Sequence, residues 1–148
     1  MKACRAVQWA FAATAGAGSG TISGDEFLPG DITVEVGATI EWGVGSDEVH
    51  TVTFGDVPPA ADPTAQAGFT GTPPALGTQD FDGTQFLNTG IFFKGATASV
   101  HFTAAGNYPF NCEIHPGMQG TVHVVAAGQP AQSQADLDAK AALTNTAI

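Results

Sequence analysis

The stretch "NCEIHPGMQG", residues 111–120, sets a thiol, an imidazole and a thioether in one short segment, at Cys112, His115 and Met118. Apart from Met1 and Cys4, these are the only methionine and the only cysteine in the chain. Two residues separate Cys112 from His115, and two separate His115 from Met118, so a single tight loop can offer three donors. Pro116 stiffens that loop and removes an N–H, while Gly117 and Gly120 permit sharp turns. The set is soft. It suits copper in both oxidation states, whereas a thioether is rare in structural zinc sites.

A fourth donor has to come from elsewhere, and strand periodicity sorts the remaining histidines by face. His101 shares a face with Thr97, Ser99 and Thr103, and His123 lies with Thr121; both point to solvent. His50 instead shares its face with Val52 and Phe54 and points inward. Taken alone, an inward histidine is most simply a core residue with a satisfied hydrogen bond, because an unsatisfied buried imidazole is costly. Tyr108, Phe110 and Cys112 also share one face, so the strand that delivers Cys112 can meet the segment that begins at His50. A cysteine and two histidines with a weak axial methionine is the arrangement expected of an electron-transfer copper site, one copper per chain cycling between Cu(I) and Cu(II).

The elements that must position these residues are strands. Ile32, Val34 and Val36 alternate with polar residues, Ile40 and Trp42 flank Glu41, and "VHTVTF" (49–54), "ATASVHFTA" (96–104), "NYPFNC" (107–112) and "GTVHVV" (120–125) follow the same period. Short strands with Gly and Pro punctuation predict an antiparallel sandwich or barrel. Val7, Trp9, Phe11 and Ala13 also alternate, which favours a first strand over a secretory leader in the opening residues. Residues 55–95 break the pattern. They form a long excursion whose returning end, with Phe81, Phe86, Leu87, Ile91, Phe92 and Phe93, has enough apolar surface to dock. Asp80 and Asp82 before Gly83 read as an aspartate turn, since the closing acidic ligand of a calcium loop is missing. The expected division is residues 1–4 as an N-terminal remnant, 5–126 as the domain, and 127–148 as a linker-like tail with one helix beginning near Ser133.

Composition limits the function. The chain has 148 residues, enough for one domain, with 43% hydrophobic and 12% charged residues, too apolar for a disordered protein. Four basic residues against fourteen acidic ones give a net charge of -10, and between residues 6 and 139 only Lys94 is basic. Nothing there can neutralise phosphates, which argues strongly against nucleic acid as a partner.

"YPFNCEIHPGM" together with "DEVHTVTF" resembles the cupredoxins, the type 1 blue copper proteins, and within them the plastocyanin and amicyanin group; "FLPGDITVEVGATIEW" is similar to that family's second and third strands. The short Cys-x2-His-x2-Met loop is closer to amicyanin. The resemblance covers about residues 5 to 126. It implies a Greek-key β-sandwich of about eight strands with copper at one end. His50, Cys112 and His115 would be equatorial ligands and Met118 axial, with Thr51, Asn111 and Pro116 around them. Many relatives carry Asn where this chain has Thr51, so a backbone bond to the cysteine sulfur is expected to persist while the side-chain contribution is open.

The implied role is a monomeric single-electron carrier rather than an enzyme, outside the cytoplasm (periplasmic, cell-surface or secreted). Its partners would be redox proteins such as a c-type cytochrome or a membrane electron-transfer complex. They would dock near the edge of His115, with Ile114, Pro116 and Gly117 as an apolar patch. Two alternatives use the same donors: a domain of a larger copper oxidase or reductase, and a copper delivery or storage protein. The oxidases place histidines on both sides of the cysteine, where this chain has Asn111 and Glu113.

Overall fold

A computed structural model describes residues 10–19, 22–55 and 78–146. Among these residues ten strands and one helix run in chain order: β1 (Ala10–Ser19), β2 (Ile22–Leu28), β3 (Asp31–Glu35), β4 (Thr39–Val44), β5 (Thr53–Phe54), β6 (Thr78–Phe81), β7 (Leu87–Asn88), β8 (Thr97–Phe102), β9 (Gly106–Asn111), β10 (Gln119–Val125) and α1 (Gln134–Thr146). Two five-stranded sheets, ordered β2-β1-β4-β8-β6 and β3-β10-β9-β5-β7, face each other as a sandwich. The chain changes sheet at every connection from β2 to β9. Those crossings make β1–β4, β3–β10 and β6–β8 parallel, so the sheets are mixed rather than purely antiparallel.

The alternation read in the sequence builds the core. Ile32 and Val34 of β3, Ile40 and Trp42 of β4, Val100 and Phe102 of β8, and Val122 and Val124 of β10 are all buried. Aromatic rings fill the layer between the sheets. The Phe110 ring centroid lies 4.7 Å from that of Phe27 and 5.4 Å from that of Trp42. Phe110 sits two residues before Cys112, so the best-packed part of the core anchors the strand that carries the thiol.

Four expectations are revised or refined. Among the described residues β1 spans Ala10–Ser19, running past the expected Ala13, with Ala13, Ala15 and Ala17 buried; Val7 and Trp9 lie outside the described residues. Strand β2, pairing antiparallel with β1, was not marked by sequence periodicity, because "ISGDEFL" carries a Gly and two adjacent acids in place of alternation. Segment 49–54 is not a regular strand: only Thr53–Phe54 is, with an isolated bridge from His50 to Phe92. The returning end of the excursion causes this. Phe92 exchanges backbone hydrogen bonds with His50 (3.0 and 2.9 Å), and Thr89 caps Val52, so residues 50–54 are buried on both faces. Asp82 does make the aspartate turn, accepting from the Thr84 amide and hydroxyl at 2.9 and 2.6 Å.

The fourth concerns the tail, which docks rather than trails. Ser133 caps α1 in a reciprocal pair with Asp136: the Asp136 amide donates to Ser133 Oγ (3.1 Å) and the Ser133 amide to Asp136 Oδ2 (2.9 Å). Leu137 is fully buried, and α1 packs on β1 and β2. Two glutamine side chains then stitch the tail to strand edges. Gln134 exchanges hydrogen bonds with the Ala12 backbone (2.8 and 2.9 Å), and Gln132 receives one from the Thr33 amide (2.7 Å). Exposed backbone on both sheets is thereby satisfied.

Candidate metal centre

Cys112 leaves β9 at one end of the sandwich, and the loop behind it closes on itself. The Cys112 amide donates to the Met118 carbonyl (2.9 Å) and the Met118 amide to the His115 carbonyl (3.1 Å). Gly117, with φ +86°, takes the left-handed turn inside this ring. Gly120 serves a different need from the turn expected of it: a side chain there would run into the Gly30 carbonyl and the Phe110 ring. Met118 is buried at the foot of the loop.

The three nearer donors converge. Cys112 Sγ, a free thiol, lies 3.9 Å from Nδ1 of His50 and 3.6 Å from Nδ1 of His115. The candidate ligand atoms of all three residues lie within 4.8 Å of one another. The two imidazole centroids are 4.9 Å apart. Both rings turn the same nitrogen towards the sulfur, and both have the other nitrogen occupied. His50 Nε2 is 3.0 Å from Ser46 Oγ, and His115 Nε2 is 2.7 Å from Glu48 Oε2. Two imidazoles and a thiol turned to one point, in a largely desolvated pocket, fit a soft metal ion. His101 and His123 take no part: they pair on the outer faces with Asp80 (2.8 Å) and Asp31 (2.6 Å).

Burial pushes the His50 imidazole below its ordinary pKa, and the neighbouring His115 adds to this while Asp25 opposes it. A neutral imidazole keeps the lone pair that a metal requires.

The surroundings expected from the sequence are present in altered form. The Thr51 amide donates to Cys112 Sγ at 3.4 Å. Its hydroxyl also has a role, accepting from the Glu113 amide at 2.9 Å and meeting Thr53 Oγ1 at 3.0 Å, which in turn donates to Asn88. Threonine thus ties the His50 segment to the residue after the cysteine. Asn111 donates to Glu113 Oε1 (3.2 Å), and Pro116 lies exposed within the loop.

Sequence reasoning missed four contributors. Ser46 and Glu48 carry no periodic signal, being in the turn between β4 and His50; Asp25, whose carboxylate lies 3.9 Å from His115 Nε2, comes from the unmarked β2. Gly16 is the fourth. It forms a bulge in β1 at φ +74°, and a Cβ there would stand 2.5 Å from both His50 Nε2 and Ser46 Oγ.

Sandwich and site together define a cupredoxin with a type 1 donor set, a blue copper protein. The chain belongs to the copper-binding proteins of the plastocyanin/azurin family, whose profile matches residues 15–125. No curated protein matches it in sequence. Among solved structures it is similar to amicyanins. An oxidised variant gives a TM-score of 0.51 at 22% identity, over 78% of this chain and 82% of the other. A reduced Cu(I) form at pH 4 gives 0.52 at 22%, over 84% and 87%, and a further reduced variant 0.52 at 23%, over 80% and 85%. At this identity the likeness concerns the fold, and it agrees with the two-sheet sandwich.

Proposed function

We propose that this protein is a single-electron carrier, with His50, Cys112 and His115 as equatorial ligands to one copper and Met118 as the axial one. The observation that carries the reading is the convergence of two fixed imidazoles and one thiol at the buried end of a rigid core. When bound, copper supplies a one-electron couple between Cu(I) and Cu(II). The chain's own part is to keep the donors still. Cys112 is held by the Thr51 amide and the closed 112–118 loop, His50 by Ser46 and the Phe92 bridge, and Met118 by core packing. Donors that do not rearrange between oxidation states lower the cost of reorganisation, which suits transfer rather than substrate chemistry.

His115 is the ligand nearest solvent, with its side chain 17% exposed, and it marks the side where a redox protein docks. Pro116 and Gly117 are exposed next to it, while Ile114 is turned partly into the core. The antiparallel bridge between His50 and Phe92 also sets Val49 across from Phe93, and both are exposed apolar residues on this flank. The partner is a soluble or membrane-bound redox protein such as a c-type cytochrome, met outside the cytoplasm by a monomeric carrier formed by residues 5–126 with the packed tail. No helix among the described residues is long and apolar enough to cross a membrane.

The test is the visible spectrum and a copper count. Cu(II) added to the metal-free protein should give an intense blue, reversibly reducible species with one copper per chain, and Cys112→Ser should abolish the colour. A colourless protein that prefers zinc sinks the reading.

A further inference from the structure

Both histidines of the centre are held from behind by a single turn, residues 45–49. Ser46, fully buried, meets His50, and two residues later Glu48 meets His115 at 2.7 Å. The turn can come this close because it rests on the β1 bulge: the Gly45 amide donates to the Ala15 carbonyl at 2.9 Å, and neither Gly16 nor Gly45 has a side chain in the way.

A carboxylate can only accept a hydrogen bond. At 2.7 Å from Glu48 Oε2, His115 Nε2 therefore carries the proton, and in the neutral ring Nδ1 is left with its lone pair facing Cys112 Sγ. The alternative ring orientation would place a carbon against the carboxylate and lose the bond. Asp25 adds a second carboxylate at 3.9 Å, too long for a good hydrogen bond. Asp25, Glu48 and His115 do form a compact acidic group, but it is exposed and shares its histidine with the metal centre, so it is a support for His115 rather than a separate ion site.

We propose that Glu48 is the positioning residue for His115. Its carboxylate selects the Nε2–H tautomer, stops the ring from turning, and sets a negative charge behind the imidazole that favours Cu(II) over Cu(I). The proposal rests on the copper reading of this site. Hydrogen bonds from metal-bound histidines to carboxylates raise the basicity of the ring, and their loss typically costs about tenfold or more in metal affinity. Because the Glu48 side chain is 44% exposed, its bare charge is screened and the short hydrogen bond has the larger share of the effect.

The experiment compares the full chain with Glu48→Ala, Glu48→Gln and Asp25→Asn. In the metal-free proteins, nitrogen NMR reads the tautomer of His115. In the copper-loaded proteins, equilibration with a reference redox couple reads the balance between Cu(II) and Cu(I). The wild type should hold His115 as the Nε2–H tautomer, and Glu48→Ala should give a mixture. Its electron equilibrium should shift towards Cu(I) by up to about tenfold, equivalent to about 59 mV for one electron. Glu48→Gln should keep the tautomer and show a smaller shift in the same direction, and Asp25→Asn should keep the tautomer and change the equilibrium least. A wild-type tautomer and equilibrium in Glu48→Ala overturn the proposal. If Glu48→Ala does not fold, an unchanged equilibrium in Glu48→Gln overturns the charge assignment. If the wild type binds no copper, the carrier reading fails, and the metal-free tautomer measurement still decides whether Glu48 positions His115.

Discussion

His50 shows how burial prepares a ligand. Its imidazole is out of water, touches Ser46 and Cys112, and is held below its ordinary pKa mainly by desolvation. In the metal-free protein this links stability to pH. The unfolded chain takes up a proton near the usual histidine pKa and the folded one only at lower pH, so stability is present above the unfolded value and is lost as pH falls through the folded one. Metal-free protein should therefore show a midpoint of urea unfolding that falls as pH is lowered from neutral into the acid range. His50→Gln should flatten the part of that slope due to this residue. An equal slope in both proteins would show that other groups control it. Thr51 teaches a related lesson at the same scale: its amide reaches the sulfur whatever the side chain is, because the contact belongs to the backbone.

Among the elements, β1 has the most unexpected role. Alternation in the sequence predicts only a first strand there, yet the bulge of β1 at Gly16 is the floor under His50 and Ser46. Gly16→Ala combines a left-handed backbone with a Cβ 2.5 Å from both of those atoms, so the turn or the strand must shift. Overpacking of this kind costs about 1–3 kcal/mol. Gly16→Ala should lose about that much stability in denaturant titrations, and its copper form should have an altered visible band because His50 has moved. An unchanged spectrum with unchanged stability would show that the bulge has room to spare. The tail acts at this scale as well: Leu137 of α1 joins the core, and Gln134 at the helix start and Gln132 just before it satisfy strand backbone that would otherwise remain open.

Over the whole molecule, the dominant feature is charge. The chain carries -10, and the ligand nearest solvent, His115, is flanked by Glu48 and Asp25 instead of by apolar side chains alone. A basic redox partner is steered towards such an end, and salt screens the attraction. The rate of electron exchange with a basic cytochrome c should fall by about tenfold from low to physiological ionic strength. Exchange with an acidic partner should rise over the same range. A rate independent of salt for both would mean that the apolar residues around Pro116, Val49 and Phe93 govern docking.

Much of this was legible in the residues themselves. Donor chemistry follows from side-chain type, and the 112–118 spacing is local, so Cys112, His115 and Met118 declared a soft-metal loop without any knowledge of the fold. Period-two alternation is also local, and it sorted His50 from His101 and His123 and identified most of the core strands. What only the tertiary structure decided are the contacts between segments distant in sequence. The two-sided burial of residues 50–54 depends on Phe92 and Thr89 returning from the excursion. The close fit of Gly16 against His50 depends on a bulge with no sequence period. The bond between Glu48 and His115 joins residues far apart along the chain through a turn that has no pattern to read. Periodicity reports which way a side chain faces, but it does not report what waits for it on that side.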